Sequence, residues 1–341
     1  MSQYRVAAPT DIRPAALKMI SGECEVKRWD RKEPIPRETL YEWVQDADGL
    51  FLTGHGVKVD RELLSHAPRL RVIAQAAAGY ENTDLAACNQ RKIPFSNTPG
   101  PVVEATADIA FGLLLAAARG FREGWDWVLS GKWEQDEMPF GVALLGKTLG
   151  IVGMGRIGSA VAKRAQTSGM KVVYHNRNQR ADEGALNVSY LSFDDLLATA
   201  DFVLVTAPLT AGTRGMFGTA QFARMKRSAF FINAARGGLV NSEALYQALR
   251  QRTIAYAALD CTDPEPLPAN HPLLSLPNIL VVPHIGTATD ETRDAMACLA
   301  AENLLAGLAG KPLPTCVNQE VNYRVEPDLD AGSRAKAARS E

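Results

Sequence analysis

TLGIVGMGRIG, residues 148–158, is an apolar run that leads directly into a G-x-G-x-x-G pattern. The three glycines have separate roles. Gly153 permits a tight turn, Gly155 lets the backbone approach a pyrophosphate, and Gly158 lets a helix pack closely on the strand. The first turn of that helix offers N–H groups to phosphates, and Arg156 adds a cation there. The stretch therefore predicts a strand, a turn and a helix that bind a dinucleotide within an α/β fold.

The next strand of the predicted unit ends in YHNR at residues 174–177. In NAD enzymes an acidic residue about 20 positions beyond the glycines binds the adenosine ribose, whereas an Arg nearby accommodates the 2′-phosphate of NADP. Here the strand ends without a carboxylate: Asn176 stands there, and Arg177, together with Arg180, offers positive charge. The pattern favours NADPH, with NADH used less efficiently; the alternative is that both arginines are solvated loop cations.

Short apolar runs alternate with longer helical patterns along the chain, as is typical of parallel sheets flanked by helices. The pattern predicts two doubly wound units, separated by NTPGP at residues 97–101, because proline fixes φ and lacks an amide donor. Long helices are predicted over 102–119 and 289–308, and the charged tail from 324 onward is predicted to be poorly ordered. The predicted strands cover 4–8, 49–53, 71–75 and 94–96 in the first unit, and in the second a run from 148, then 171–174, 202–206, 230–233, 255–259 and 279–282.

At 341 residues the chain exceeds the usual size of one core, which predicts two domains. The formal net charge of -1, with no run of Lys and Arg among aromatics, argues against nucleic acid or an anionic membrane as partner. No apolar run approaches the ~20 residues of a membrane span, and the first five residues do not resemble a leader peptide. The five cysteines show neither metal-ligand spacing nor a disulfide framework, so a cytoplasmic protein without a metal is predicted.

Three polar residues lie near the ends of late strands in the second unit, where open α/β sheets bind their ligands. They are Arg236 in NAARGG, Glu265 in DCTDPEP and His284 in PHIG. A guanidinium can hold a carboxylate through paired hydrogen bonds, and an imidazolium can donate a proton to a keto oxygen. A carboxylate beside the imidazole orients it and stabilises its charged form. The set suits reduction of a 2-keto acid, although spacing alone leaves open whether the three side chains converge.

Several segments together resemble the D-2-hydroxyacid dehydrogenases, and specifically their glyoxylate and hydroxypyruvate reductase branch. The resemblance spans about residues 45 to 316, and the segments follow the family's order. They are AGYEN at 78–82, NTP at 97–99, EATAD at 104–108, the glycine turn, FINAARGG at 231–238, residues 259–268, VPHIGTAT at 282–289 and NLLAG at 303–307.

The resemblance implies that Arg236 binds and polarises the substrate, that Glu265 pairs with His284, and that His284 is the acid/base. It also implies that backbone N–H groups at Ala78 and Gly79 bind the substrate carboxylate. Asp260 would contact the nicotinamide carboxamide. The full set of implied cofactor contacts is Thr106, Gly153, Gly155, Arg156, Ile157, Gly158, Asn176, Arg177, Thr206, Ala207, Pro208, Thr213, Ala234, Asp260 and Gly286.

Family members bind substrate in a cleft between a discontinuous substrate domain and a cofactor domain, and they are typically homodimers. By analogy, residues 1–98 with 288–323 would form the substrate domain here, and residues 99–287 the cofactor domain. In some relatives an aromatic residue of the partner subunit shapes the substrate pocket, but the comparable segment near 138–140 does not align securely, so the preferred size of the substrate stays open.

The resemblance implies NADPH-dependent reduction of glyoxylate or hydroxypyruvate. Glu265 argues against formate, because formate dehydrogenases of the same superfamily carry a Gln at the matching position. Two alternatives stay open: a reductase of 2-ketogluconate or a dehydrogenase of broad range, and a dinucleotide-sensing binding protein that resembles transcriptional corepressors. His55, His175 and His271 receive no role.

Overall fold

The structure, a computed structural model, describes residues 4–31, 33–54 and 56–321. His55 and the tail predicted to be poorly ordered lie outside the described residues. The chain divides into two compact units: unit 1 comprises residues 1–102 with 289–341, and unit 2 comprises residues 103–288. The sequence predicts these breaks after residues 98 and 287, and the assignment of substrate to one unit and cofactor to the other stays a prediction.

The regular elements of the described residues are numbered in chain order. The strands are β1 (Tyr4–Ala8), β2 (Cys24–Arg28), β3 (Gly49–Thr53), β4 (Val72–Ala76), β5 (Phe95–Ser96), β6 (Thr148–Val152), β7 (Lys171–His175), β8 (Ser189–Tyr190), β9 (Phe202–Val205), β10 (Phe230–Asn233), β11 (Tyr256–Leu259) and β12 (Ile279–Val281). The helices are α1 (Pro14–Ser21), α2 (Arg37–Gln45), α3 (Arg61–Ser65), α4 (Leu85–Gln90), α5 (Val102–Arg119), α6 (Phe121–Leu129), α7 (Arg156–Thr167), α8 (Glu183–Leu186), α9 (Phe193–Thr199), α10 (Thr219–Arg224), α11 (Ser242–Arg250) and α12 (Asp290–Leu308), with short 3₁₀ turns at Lys132–Glu134, Gly237–Leu239 and Pro272–Ser275.

Unit 1 is built on a parallel sheet with strand order β2-β1-β3-β4-β5. Helix α12 joins it from the far end of the chain, and Gly307 lies so close to β4 that a Cβ there would be 2.5 Å from a methyl group of Val72. Arg13 fixes the start of this helix by donating to Asp290 at 2.7 Å and to Asp294 at 2.6 Å. Helix α12 is therefore part of the core of unit 1.

Unit 2 holds a parallel sheet with strand order β12-β11-β10-β9-β6-β7-β8. The chain leaves β6 toward β7 and β8, then returns to place β9 on the other side of β6. Ligands of open α/β sheets bind beyond the carboxyl ends of strands at such a reversal. The predicted α/β fold with two parallel sheets is confirmed, and the reversal between β6 and β9 marks where a ligand is expected.

Candidate active site

The glycine turn follows β6 and has the geometry that its sequence predicts. Gly153 has φ 101°, and a Cβ there would lie 2.4 Å from the backbone nitrogen of Ala207, so only glycine fits. At Gly158 a Cβ would lie 2.8 Å from the carbonyl oxygen of Gly153. Gly155, by contrast, has no described atom beyond its two chain neighbours within 4 Å of its Cβ position, and it precedes α7 without a side-chain cap. This open space before a helix N-terminus fits a pyrophosphate, and thus a dinucleotide.

The loop after β9 lies directly against this turn. Thr206 donates through Oγ1 to the carbonyl oxygen of Gly153 at 2.7 Å, and Ala207 is nearly buried beside it. Thr213 closes the same loop by donating to the carbonyl oxygen of Pro208 at 2.7 Å. The structure therefore places Thr206 and Ala207 at the turn, at the reversal of the sheet, and Pro208 and Thr213 in the same loop.

The residues after β7 that were predicted to select the cofactor make different contacts in the structure. Asn176 accepts a hydrogen bond from the Met154 backbone N–H at 2.6 Å and donates to the Met154 carbonyl oxygen at 3.3 Å. Arg180 donates to that same carbonyl oxygen at 2.8 Å and binds Asp182 through two hydrogen bonds, at 2.7 and 2.6 Å. Arg177 is exposed and makes no hydrogen bond or ion pair within the described part of the chain. Arg180 thus stabilises the glycine turn, and its positive charge is already paired with Asp182. Arg177 has no such partner among the described residues and is exposed to solvent.

Arg236 stands in the loop that follows β10, and its peptide groups are fixed by the strand. Asn233, fully buried, donates to the Arg236 carbonyl oxygen at 2.9 Å and accepts from the Ala235 N–H at 3.1 Å. At the next residue, Gly237, a Cβ would lie 1.9 Å from the carbonyl group of Thr262. Only glycine allows the loop of Arg236 to lie against the loop after β11. Asn233 was not among the residues predicted from the sequence, and its place at the end of a strand was the available signal.

Glu265 and His284 form the central contact of the site. The Glu265 Oε1 atom lies 2.6 Å from Nδ1 of His284, and Oε2 of the same carboxylate accepts from the Thr262 N–H at 3.2 Å. The two side chains are 40% and 34% exposed, so a small molecule can reach them. With Nδ1 engaged by the carboxylate, a proton would be donated from Nε2. The pairing implied by the resemblance is present in the structure.

Asp260, at the end of β11, has both carboxylate oxygens engaged by the backbone. It accepts from the Ile285 N–H at 2.7 Å and from the Gly286 N–H at 3.1 Å. Asp260 is 3% exposed, and this burial raises its pKa, while the charge of His284 acts in the opposite direction. Thr106 also lies near Gly286, since a Cβ there would be 3.5 Å from its Oγ1 atom. Contact of Asp260 with a nicotinamide stays a prediction.

Ala78 and Gly79 follow β4 in unit 1. Asn97 donates to the Ala78 carbonyl oxygen at 2.7 Å, and Gln75 donates to the Gly79 carbonyl oxygen at 2.6 Å. These two buried amides orient the peptide groups of the loop. Binding of a substrate carboxylate by the N–H groups of Ala78 and Gly79 stays a prediction.

Two other features of the described residues bear on the kind of site. They hold no group of three or more His, Cys, Asp or Glu that could bind a metal ion. No helix among them is both long and apolar enough to cross a membrane.

Comparison with known proteins gives a consistent result. Residues 111–286 match the model of the family described as D-isomer specific 2-hydroxyacid dehydrogenase, NAD binding domain. A glyoxylate reductase of Aeropyrum pernix is 42% identical over 330 residues, which are 94% of this chain and 98% of that protein. The structure of a glyoxylate reductase from Paecilomyes thermophila superimposes with a TM-score of 0.86 at 33% identity, covering 94% of this chain and 100% of that one.

A further similar structure carries ligands. It is an NADPH-dependent glyoxylate/hydroxypyruvate reductase from Sinorhizobium meliloti in complex with NADP and malonate. Its TM-score is 0.85 at 30% identity, and the match covers 96% of this chain and 100% of that one.

Proposed function

Since this chain belongs to the D-isomer specific 2-hydroxyacid dehydrogenase family, we propose that it reduces glyoxylate or hydroxypyruvate with NADPH, giving glycolate or D-glycerate. The observation that carries the proposal is the 2.6 Å contact between Glu265 and His284, which lies in the same unit as the glycine turn. Further support comes from the relatives named glyoxylate reductase and from the NADPH-dependent neighbour.

Arg236, His284 and Glu265 have separate roles in the proposed reaction. A bound reduced nicotinamide supplies a hydride for the keto carbon. Arg236 binds the substrate carboxylate and polarises the keto group, since a guanidinium matches a carboxylate through two hydrogen bonds. His284 gives the proton of Nε2 to the keto oxygen as negative charge develops there, and becomes neutral. Glu265 holds the ring in orientation through Nδ1 and stabilises its charged form until the proton leaves.

An absorbance assay at ~340 nm tests the proposal. Glyoxylate, hydroxypyruvate and 2-ketogluconate would each be supplied with NADPH and with NADH, and the oxidation of the cofactor recorded. We expect the highest kcat/KM with glyoxylate or hydroxypyruvate and NADPH. A higher value for 2-ketogluconate would replace the proposed substrate class, and binding of dinucleotide without oxidation by any keto acid would favour a sensor.

The cofactor preference is proposed to depend on Arg177. A charge-assisted hydrogen bond contributes about 1.5–3 kcal/mol, so the double variant Asn176→Asp, Arg177→Ala is expected to lower the ratio of kcat/KM for NADPH over NADH by roughly 10- to 100-fold. Arg180→Met is the matched comparison, because Arg180 is bound to Met154 and Asp182. It should weaken both cofactors equally and leave the ratio unchanged. An unchanged ratio in the double variant would contradict the assignment.

A homodimer is proposed from an apolar surface on unit 2. Helix α6 has no buried residue, and it exposes aromatic and aliphatic side chains on a 9-residue stretch. The segment that follows leaves Trp133 74% and Phe140 89% exposed, and Phe140 lines a groove of about 680 Å³. Exposed apolar patches of this kind mark interaction sites, and a second copy of the chain is the occupant that the family resemblance implies.

The dimer is tested by charging this surface. Trp125 and Leu129 lie one helical turn apart on α6, and both are exposed. The variant Trp125→Glu, Leu129→Glu is expected to sediment as a monomer at concentrations where the unaltered chain sediments as a dimer. Sedimentation velocity measures this change of oligomeric state, and a monomeric unaltered chain would refute the proposal.

The cytoplasmic location suggested by the scattered cysteines stays a prediction.

A further inference from the structure

The backbone of His284 has an uncommon conformation. Its φ is 52°, in the left-handed region, where residues with a Cβ are uncommon. The turn is tight, since the His284 N–H donates to the Val282 carbonyl oxygen at 3.0 Å. Such a conformation persists only where the surroundings over-determine it. Contacts outside the turn must therefore hold it.

Asp260 supplies those contacts from the sheet. Its own N–H donates to the Asn233 carbonyl oxygen at 2.9 Å, which anchors it between two strand ends. Its carboxylate accepts from the N–H groups of both residues after His284, Ile285 at 2.7 Å and Gly286 at 3.1 Å. The fit is close, because a Cβ at Gly286 would lie 2.9 Å from Oδ2 of Asp260.

We infer that Asp260 is a positioning residue for His284: by binding the two peptide N–H groups that follow, it holds the imidazole in the left-handed turn that lets Nδ1 meet Glu265. The inference rests on the proposed role of His284 as proton donor. It is distinct from the contact with a nicotinamide that the resemblance implies, because it is made to backbone N–H groups of the chain itself and requires no cofactor.

An amide cannot replace this carboxylate. Asn at position 260 has one acceptor oxygen, and its NH₂ group would face the second backbone N–H. The turn would relax, and a displacement of about 1 Å can cost roughly 100-fold in rate. In Asp260→Asn we therefore expect kcat at saturating NADPH to fall by roughly 100-fold. A raised Kd for NADPH, measured by fluorescence titration without substrate, together with an unchanged kcat would assign Asp260 to the nicotinamide alone and overturn the inference.

Asp201→Asn is the matched control. Asp201 also accepts from a backbone N–H, that of Thr148 at 2.9 Å, but at the amino ends of β6 and β9, the opposite edge of the sheet. This variant should lower the thermal midpoint without changing kcat. Equal loss of kcat in both carboxylate variants would mean that Asp260 only stabilises the fold.

Two further readouts separate positioning from other roles. In a His284→Ala background, Asp260→Asn should cost no further activity, because residues that act through one group are not additive; an additive loss would overturn the inference.

The second readout is the proton resonance of the His284 ring N–H bound to Glu265, identified by its absence in His284→Ala. It should disappear or shift in Asp260→Asn in the absence of cofactor and substrate, and an unchanged resonance would overturn the inference.

Gly286→Ala gives an independent variant if Asp260→Asn does not fold. The added methyl group would push against Oδ2 of Asp260, so the same loss of the His284 resonance is expected with the charge of Asp260 retained. Absence of keto acid reduction in the unaltered chain would refute the proposed function but leave these resonance measurements interpretable, so the two failures are distinguishable.

Discussion

Replacing His284 by Ala is expected to lower kcat for keto acid reduction by roughly 1,000-fold, the middle of the range for loss of a general acid. The reason is that the alkoxide forming on hydride transfer would then take its proton from water. NADPH should still bind, because the hydrogen bonds that shape the glycine turn and the loop after β9 are made by Asn176 and Thr206. Single-turnover kinetics at saturating NADPH, with a fluorescence titration of the same preparation, measure both quantities.

His271→Asn is the control for this variant. His271 accepts from the Leu273 N–H at 3.3 Å at the start of a 3₁₀ turn, and an Asn side chain can accept the same hydrogen bond. Its kcat should match that of the unaltered chain. Near-normal turnover in His284→Ala would remove His284 as the proton donor and leave the Glu265 pair as a structural contact.

Arg236→Ala is expected to lower kcat/KM by roughly 30- to 5,000-fold, since truncating one partner of a desolvated charge pair costs about 2–5 kcal/mol. The substrate carboxylate would lose two hydrogen bonds, and the keto group would lose a positive charge nearby. Arg236→Lys should recover only part of the loss, because an ammonium group cannot form the paired contact. Steady-state kinetics over a range of glyoxylate and hydroxypyruvate concentrations give the two constants.

Added guanidinium ion should restore part of the activity of Arg236→Ala by occupying the vacated space. Arg224→Lys is the control, because Arg224 pairs with Asp194 on the surface of unit 2 at 3.3 Å. A kcat/KM for Arg236→Ala close to that of this control would show that the substrate carboxylate is bound elsewhere.

Strands with regular apolar composition could be predicted from the sequence, whereas charged ones could not. Strand β2, Cys24–Arg28, was missed because only Cys24 is buried and the strand lies at the edge of its sheet, where charged residues are favoured. The two residues of β8 are too few for a periodic signal. Helix α5 was predicted over its observed span, because its apolar composition reflects burial in the core of unit 2.

In the site, likewise, sequence motifs identify individual residues, whereas the contacts between those residues appear only in the folded chain. Strand ends and short motifs were enough to select Glu265 and His284, but their contact joins residues 19 positions apart and depends on the shape of two loops. Arg177 and Arg180 looked alike in the sequence, and only the contacts of Arg180 with Met154 and Asp182 distinguish them. The engagement of Asp260 with the turn after His284 has no signature in the sequence either, since it requires two strand ends to lie side by side.

The return of α12 to unit 1 has a consequence for synthesis. Unit 2 is continuous from residue 103 to 288, so its sheet can be completed while the ribosome is still adding later residues. Unit 1 begins earlier in the chain but lacks a helix of its own core until residue 308 has emerged. Unit 1 is thus translated first but completed last. Until α12 packs on it, part of the apolar surface of its strands is exposed to solvent. Chaperone binding would matter most in this interval.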